Sequence, residues 1–153
     1  MSKVRTAARA LIIKDRKLLL VKNKDREGVW YMLPGGGQIK NHTLAETLHR
    51  ECLEETGYKI SMGSLVLVRA YISNNHEFKN DDPDFHQIDL IFRCTLAEEE
   101  AATPTEMDIR QTGVEWVKLD KLKELRLYPA VLKECFDEKG FIPRENIFLG
   151  DVN

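Results

Sequence analysis

The spacing of apolar and polar positions changes several times along the chain, and each change predicts an element. Residues 4–13 (VRTAARALII) and 18–21 (LLLV) are apolar and rich in β-formers, and the polar turn Lys14-Asp15-Arg16-Lys17 separates them, which predicts a β-hairpin. Residues 22–31 are polar and contain Gly28, so they read as a loop; LPGGGQ (33–38) is too rich in turn residues to be helix. Residues 43–56 have helical periodicity. Thr43 followed by Glu46 matches a capping box, and Gly57 supplies the stop. SLVLVRAYI (64–72), HQIDLIFRCTL (86–96) and VEWVKL (114–119) read as strands, the second through its alternation of Ile88, Leu90, Phe92, Cys94 and Leu96. A short helix capped by Asp120 is expected at 121–125, a longer one at 128–138 starting from Tyr128-Pro129, and a last edge strand at 146–150. Strands with interspersed helices predict an α/β class, helices packed on a mixed sheet. The polar segment 73–87 is long for a connection inside a compact domain, and loops of that length are often functional.

Composition narrows the setting. With 153 residues and no repeat or linker, the chain reads as one domain, residues 1–153. A net charge of −2 gives no basic field for nucleic acid or an anionic membrane, so neither is expected as a partner; a homodimer stays open. No signal peptide and no apolar run of about 18 residues is present. Cys52, Cys94 and Cys135 are far apart, odd in number and set in apolar patterns, so they read as reduced buried thiols in a cytoplasmic protein.

Candidate chemistry is concentrated in the helix 43–56. On a wheel of about 100° per residue centred on Leu48, Leu44 and Cys52 fall within roughly 40° and form the core stripe. Glu55 falls inside that stripe at about −20°, with Glu51 near −60° and Glu54 near −120°. Glu46 and Arg50 read as a surface ion pair of small value. The other three carboxylates repel one another, and burying one is costly, so the cluster makes physical sense if a divalent cation neutralises it. Carboxylate oxygens favour Mg2+ or Mn2+, which also bind phosphate oxygens. The run Gly35-Gly36-Gly37 just before the helix allows a backbone to approach a ligand closely.

Read together, Gly36 through Tyr58 resembles the Nudix box of MutT-like hydrolases. That pattern is Gly, five residues, Glu, seven residues, then Arg-Glu-apolar-x-Glu-Glu-x-Gly-apolar. Its second half is matched here by Arg50-Glu51-Cys52-Leu53-Glu54-Glu55-Thr56-Gly57-Tyr58, and Leu33-Pro34-Gly35 precedes it as in the family. ARALII, KLLLV and Glu115-Trp116-Val117 extend the similarity over most of the chain. One position departs: His42 stands where the pattern has its first glutamate, and it is a candidate hydrogen-bond partner for the Arg50 region.

The resemblance implies a Nudix-type α/β/α sandwich with a mixed sheet, and a pyrophosphohydrolase acting on a nucleoside di- or triphosphate or a nucleotide-sugar-like substrate. It implies Glu51, Glu54 and Glu55 as metal ligands, with the Gly35 carbonyl as a further one. Arg50 would orient a glutamate. The general base is a box glutamate or an acidic residue of a distant loop, for which Glu106 and Asp108 are the candidates. The alternative is a catalytically weakened Nudix-like module that only binds or regulates. His76 and His86 flank an acidic loop without recognisable ligand spacing. Phe78 and Phe85 in that loop, or Trp30 and Tyr31 before the glycines, are the aromatics placed to border a substrate cleft.

Overall fold

The computed structural model describes residues 3–103 and 111–153. β1 (Arg5–Lys14) and β2 (Lys17–Asp25) form the expected hairpin, with Lys14 opposite Lys17. Its two turn residues, Asp15 and Arg16, both have positive φ, 50° and 59°, the backbone twist that a two-residue hairpin requires. Then follow β3 (Gly28–Met32), β4 (Gly35–Gly37), α1 (Leu44–Thr56), β5 (Ile60–Ile72), β6 (His86–Leu96), β7 (Gln111–Lys118) and β8 (Phe148–Asp151). The sheet runs β3-β2-β1-β6-β5-β8, with β4 added on β1 and β7 on β2. It is mixed: β1–β6 and β5–β8 are parallel, and the other pairs antiparallel.

β1 changes partner along one edge. Ala7 to Arg9 pair with the glycine strand β4, whereas only Ile13 and Lys14 pair with β2. The sheet therefore opens where β2 leaves β1, and β4 fills the opening. Ala10 N–H closes the junction on the Pro34 carbonyl at 2.8 Å.

Both faces of the sheet are covered, which explains why LLLV is apolar throughout rather than alternating. On one face Ala8, Ala10, Ile12, Leu19, Phe92 and Cys94 pack against Leu48 and Cys52 of α1. On the other, Leu11, Leu18, Leu20, Leu67 and Ile91 pack against Leu119, Leu122, Leu127, Leu132 and Phe136. This is the layered arrangement expected, with the helix α1 on one face of a mixed sheet, but the second outer layer differs from the expectation. Instead of helices at 121–125 and 128–138, that layer has short 3-10 turns at Leu119–Glu124 and Ala130–Glu134, and Asp120 makes no cap. The reason is pairing with the sheet. Tyr31 N–H donates to the Arg126 carbonyl at 2.9 Å and Tyr128 N–H to the Tyr31 carbonyl at 3.0 Å, which holds residues 126–128 extended. A second backbone bond, Ile142 N–H to the Cys135 carbonyl at 2.9 Å, turns the chain back after Cys135. Within the segment the bonds close three residues apart, Leu132 N–H to the Pro129 carbonyl and Cys135 N–H to the Leu132 carbonyl, both at 3.0 Å, which is 3-10 and not α-helical geometry.

The expected loop at 22–31 is also corrected. It is the end of β2 and all of β3, an antiparallel pair from Val21–Met32 to Asp25–Gly28. Its polar look reflects an edge position, and its turn is held by Arg126, whose two terminal nitrogens each reach a carboxylate oxygen of Asp25 at 2.8 Å. Among the described residues no helix is long and apolar enough to cross a membrane.

Candidate active site

α1 begins as its sequence predicts. Glu46 N–H donates to Thr43 Oγ1 at 3.1 Å, and Thr43 N–H donates to Glu46 Oε2 at 2.8 Å. The helix stops at Gly57, whose N–H bonds the Leu53 carbonyl. Because the cap occupies Glu46, the expected Glu46–Arg50 pair does not form. Arg50 Nη1 instead stands 3.0 Å from Glu51 Oε1 and 3.4 Å from Glu54 Oε2, bridging two carboxylates of the trio.

The third carboxylate is in a different situation. Glu55 lies among the core residues, only 5% exposed. Gly35 N–H donates to its Oε1 at 2.9 Å, and the Gln111 side-chain amide donates to its Oε2. Burial pushes its pKa up to about 7; the Gly35 N–H, the Arg9 charge and Gln111 oppose that rise without cancelling it. Glu55 is thus able to hold or release a proton near neutrality.

The glycines make this contact possible. Gly35 has φ 139°, and a Cβ there would overlap the Ala8 carbonyl oxygen. A Cβ on Gly36 would lie 2.5 Å from the Glu51 carboxyl carbon, so that carboxylate occupies the space a side chain would fill. The Gly35 carbonyl accepts from Arg9 Nη1 at 3.0 Å, and the Leu33 carbonyl from the same nitrogen at 3.4 Å. A carbonyl oxygen has a second lone pair, so the Arg9 bond leaves room for another partner.

Residues 3–139 match the family model described as NUDIX domain. The chain belongs to the Nudix family. Solved structures agree on the fold. A Nudix hydrolase from Nitrosomonas europaea superposes with a TM-score of 0.70 at 18% identity, covering 92% of this chain and 93% of that one. A MutT Nudix hydrolase from Burkholderia pseudomallei gives 0.62 at 23% identity, covering 78% and 86%. An ADP-ribose pyrophosphatase from Streptococcus suis gives 0.57 at 20% identity, covering 82% and 81%. At such identities the likeness is one of fold. No curated protein matches the chain.

Within this Nudix chain the donor set suits a hard divalent cation, but the trio is not gathered into a cage. Arg50 holds Glu51 and Glu54, while Gly35 and Gln111 hold Glu55. Among the described residues no three acidic, histidine or cysteine side chains are grouped to hold one ion. The guanidinium nitrogen between Glu51 and Glu54 does show that a positive charge is accommodated between those two carboxylates. Glu51 and Glu54 are oxygen donors of the kind a hard divalent cation takes.

The remaining candidates are distributed as follows. His42 does not partner Arg50: its Nδ1 is buried without a hydrogen bond, as is Arg50 Nε. His76 is engaged with Asp151 at 2.8 Å, which leaves no second metal cluster around the acidic loop among the described residues. Phe85 packs beside Tyr71, and Phe78 meets Tyr128 edge-on at 5.5 Å. Tyr128 also meets Trp30 at 5.6 Å, so Phe78 and Trp30, from the two expected aromatic regions, share one neighbour. Tyr31 is buried and donates to Glu115 at 2.9 Å. Glu106 and Asp108 lie outside the described residues. Sequence reading missed Arg9, Gln111 and Asp89. Each is a polar residue on a strand at a position that the alternation alone assigns only to one face or the other.

Proposed function

We propose that this chain hydrolyses the diphosphate linkage of a nucleotide-like small molecule, a nucleoside di- or triphosphate or a nucleotide sugar, with Mg2+ or Mn2+ as cofactor. One observation carries the reading: Glu55, buried and titrating near neutrality, is bonded to the backbone of the glycine strand beside Glu51 and Glu54. Burying a carboxylate with no paired cation costs several kcal/mol by order of magnitude, an arrangement kept for chemistry rather than stability. Bound Mg2+ or Mn2+ would neutralise charge on the diphosphate oxygens and acidify water. Glu51, Glu54 and the free lone pair of the Gly35 carbonyl would hold it. Arg50 then orients the two carboxylates it already touches. Glu55, fixed by Gly35 N–H and Gln111, is placed to accept a proton from the attacking water. The ADP-ribose pyrophosphatase among the structural neighbours agrees with a nucleotide sugar among the substrates to be tried. The three unpaired buried thiols agree with a reducing, cytoplasmic setting.

The test is a panel of nucleoside di- and triphosphates and nucleotide sugars, incubated with Mg2+ or Mn2+ and with excess chelator, with products identified. Cation-dependent release of a phosphate-containing product supports the reading. Binding of members of the panel without turnover under any condition would leave the weakened binding module instead.

A further inference from the structure

On the sheet face opposite α1, three charged side chains meet across adjacent strands: Arg9 on β1, Asp89 on β6 and Arg69 on β5. Arg69 and Asp89 are direct cross-strand partners. Arg9 Nε stands 3.5 Å from Asp89 Oδ1, and Arg69 Nη1 stands 3.2 Å from Oδ2. Their side chains are 13%, 2% and 10% exposed in the order Arg9, Asp89, Arg69. Two guanidiniums therefore share one carboxylate, and one positive charge is left over in a nearly buried cluster. Excess buried charge is unfavourable unless a ligand compensates it.

The donors differ in how fully they are used. All three nitrogens of Arg69 are engaged: besides Asp89, its Nε bonds the Val152 carbonyl at 2.8 Å and its Nη2 the Asn153 side chain at 2.9 Å. Both oxygens of Asp89 are engaged as well, and Gln87 adds a bond to Oδ1 at 2.8 Å. Arg9 is held by Asp89 and by the Leu33 and Gly35 carbonyls, yet its Nη2 has no hydrogen bond among the described residues. Arg9 also lines a small cleft with Met32, Leu33, Ile91, Tyr128 and Pro129. The surplus charge is thus carried by a rigid fork with one free donor. That fork is anchored to the same Gly35 whose N–H holds Glu55.

We infer that Arg9 is a phosphate-binding residue of the substrate cleft: its free Nη2 takes a non-bridging oxygen of the substrate's diphosphate, and Asp89 and Arg69 hold the fork in place. The inference rests on the diphosphate reading of the glutamate site. Planar guanidinium donors suit phosphate oxygens, and a fork already fixed by three partners loses little freedom on binding.

The experiment uses inorganic pyrophosphate as probe, titrated by calorimetry into the full chain in excess chelator, so that binding is read apart from turnover. Wild type is expected to bind. Arg9→Gln should weaken binding roughly tenfold or more, the usual effect of losing a hydrogen bond to a charged group. Asp89→Asn should tighten it, because it enlarges the positive excess without removing a guanidinium. Thermal melts of both variants establish that they are folded, and Arg9→Lys, which keeps the charge, should bind better than Arg9→Gln. A purely structural cluster would leave the affinity of the folded variants unchanged; that result, or absence of wild-type binding, overturns the inference. Arg9-dependent binding in a chain that hydrolyses nothing would sustain the inference and remove the hydrolase reading. Hydrolysis with an unchanged KM in Arg9→Gln would do the reverse.

Discussion

Glu55 and Asp89 are both buried carboxylates, 5% and 2% exposed, on opposite sides of the glycine strand's neighbourhood, and their surroundings are opposite in kind. Asp89 lies between two guanidiniums and an amide. Glu55 has two neutral donors, with the Arg9 charge acting through space, and burial prevails, so its pKa rises to about 7. The same functional group is ion-paired in one place and held by neutral donors in the other. What separates them is the partner: Asp89 has two cations in direct contact, whereas the neutral hydrogen bonds to Glu55 only soften its desolvation cost.

The largest effect is expected from removing the ion-paired carboxylate. Asp89→Ala leaves two guanidiniums buried without a counter-ion and should cost about 3–5 kcal/mol of stability, read by denaturant unfolding. A loss under 1 kcal/mol would show that the arginines find other partners, and the contrast with Glu55 would shrink.

Glu55→Gln should act in the opposite sense on stability. The folded pKa of Glu55 stands above the ordinary value of 4.5, so the folded state binds the proton more tightly than the unfolded one. Its contribution is most favourable below pH 4.5 and is lost as pH rises to about 7. In chelator at pH 8, Glu55→Gln is therefore expected to be more stable than wild type, by on the order of 3 kcal/mol, and the two should converge below pH 4.5. Parallel stability curves across that range would remove the distinction between the two carboxylates.

Activity should fall while stability rises. Glu55→Gln and Glu54→Gln are each expected to lower turnover by about a hundredfold or more with the cooperative melt retained. Turnover that survives in Glu55→Gln but disappears in chelator would move the proton-accepting role to another residue and keep only the cation.

The smallest effect concerns the helix entrance. His42→Glu should fold and keep activity, and a glutamate ahead of the first turn should add about 0.3–1 kcal/mol through the helix dipole, seen as a small rise in Tm. An inactive, folded His42→Glu would give the imidazole a role of its own in the site.

Much of the glutamate site was legible in the sequence because its signals are local. The capping box, the core stripe and the Gly57 stop lie within fifteen residues, and a helical wheel is enough to bring Glu51, Glu54 and Glu55 to one side and to place Glu55 in the core. The outer layer on the other face was misread because its conformation is not local. Residues 126–128 are extended through their bonds to Tyr31, about a hundred positions away, and a helix-like apolar spacing has no record of that. Nor could the pairing of Glu46 with Arg50 be judged by spacing alone, since the cap competed for Glu46.

By itself the sequence determined the family, the helix, the hairpin, the alternation of β6 and the carboxylate cluster, since each depends on neighbours one to four residues apart or on a fixed motif. Only the tertiary structure decided which polar strand residues meet. Arg9, Asp89 and Arg69 come from three strands far apart in the chain, and Gln111 reaches Glu55 across 56 positions. Period-two alternation assigns a residue to a face of a strand. Which strands lie side by side, and where β1 exchanges β4 for β2 to open the sheet, is set by long-range pairing, and that pairing gives one buried carboxylate two guanidinium partners and the other only neutral donors.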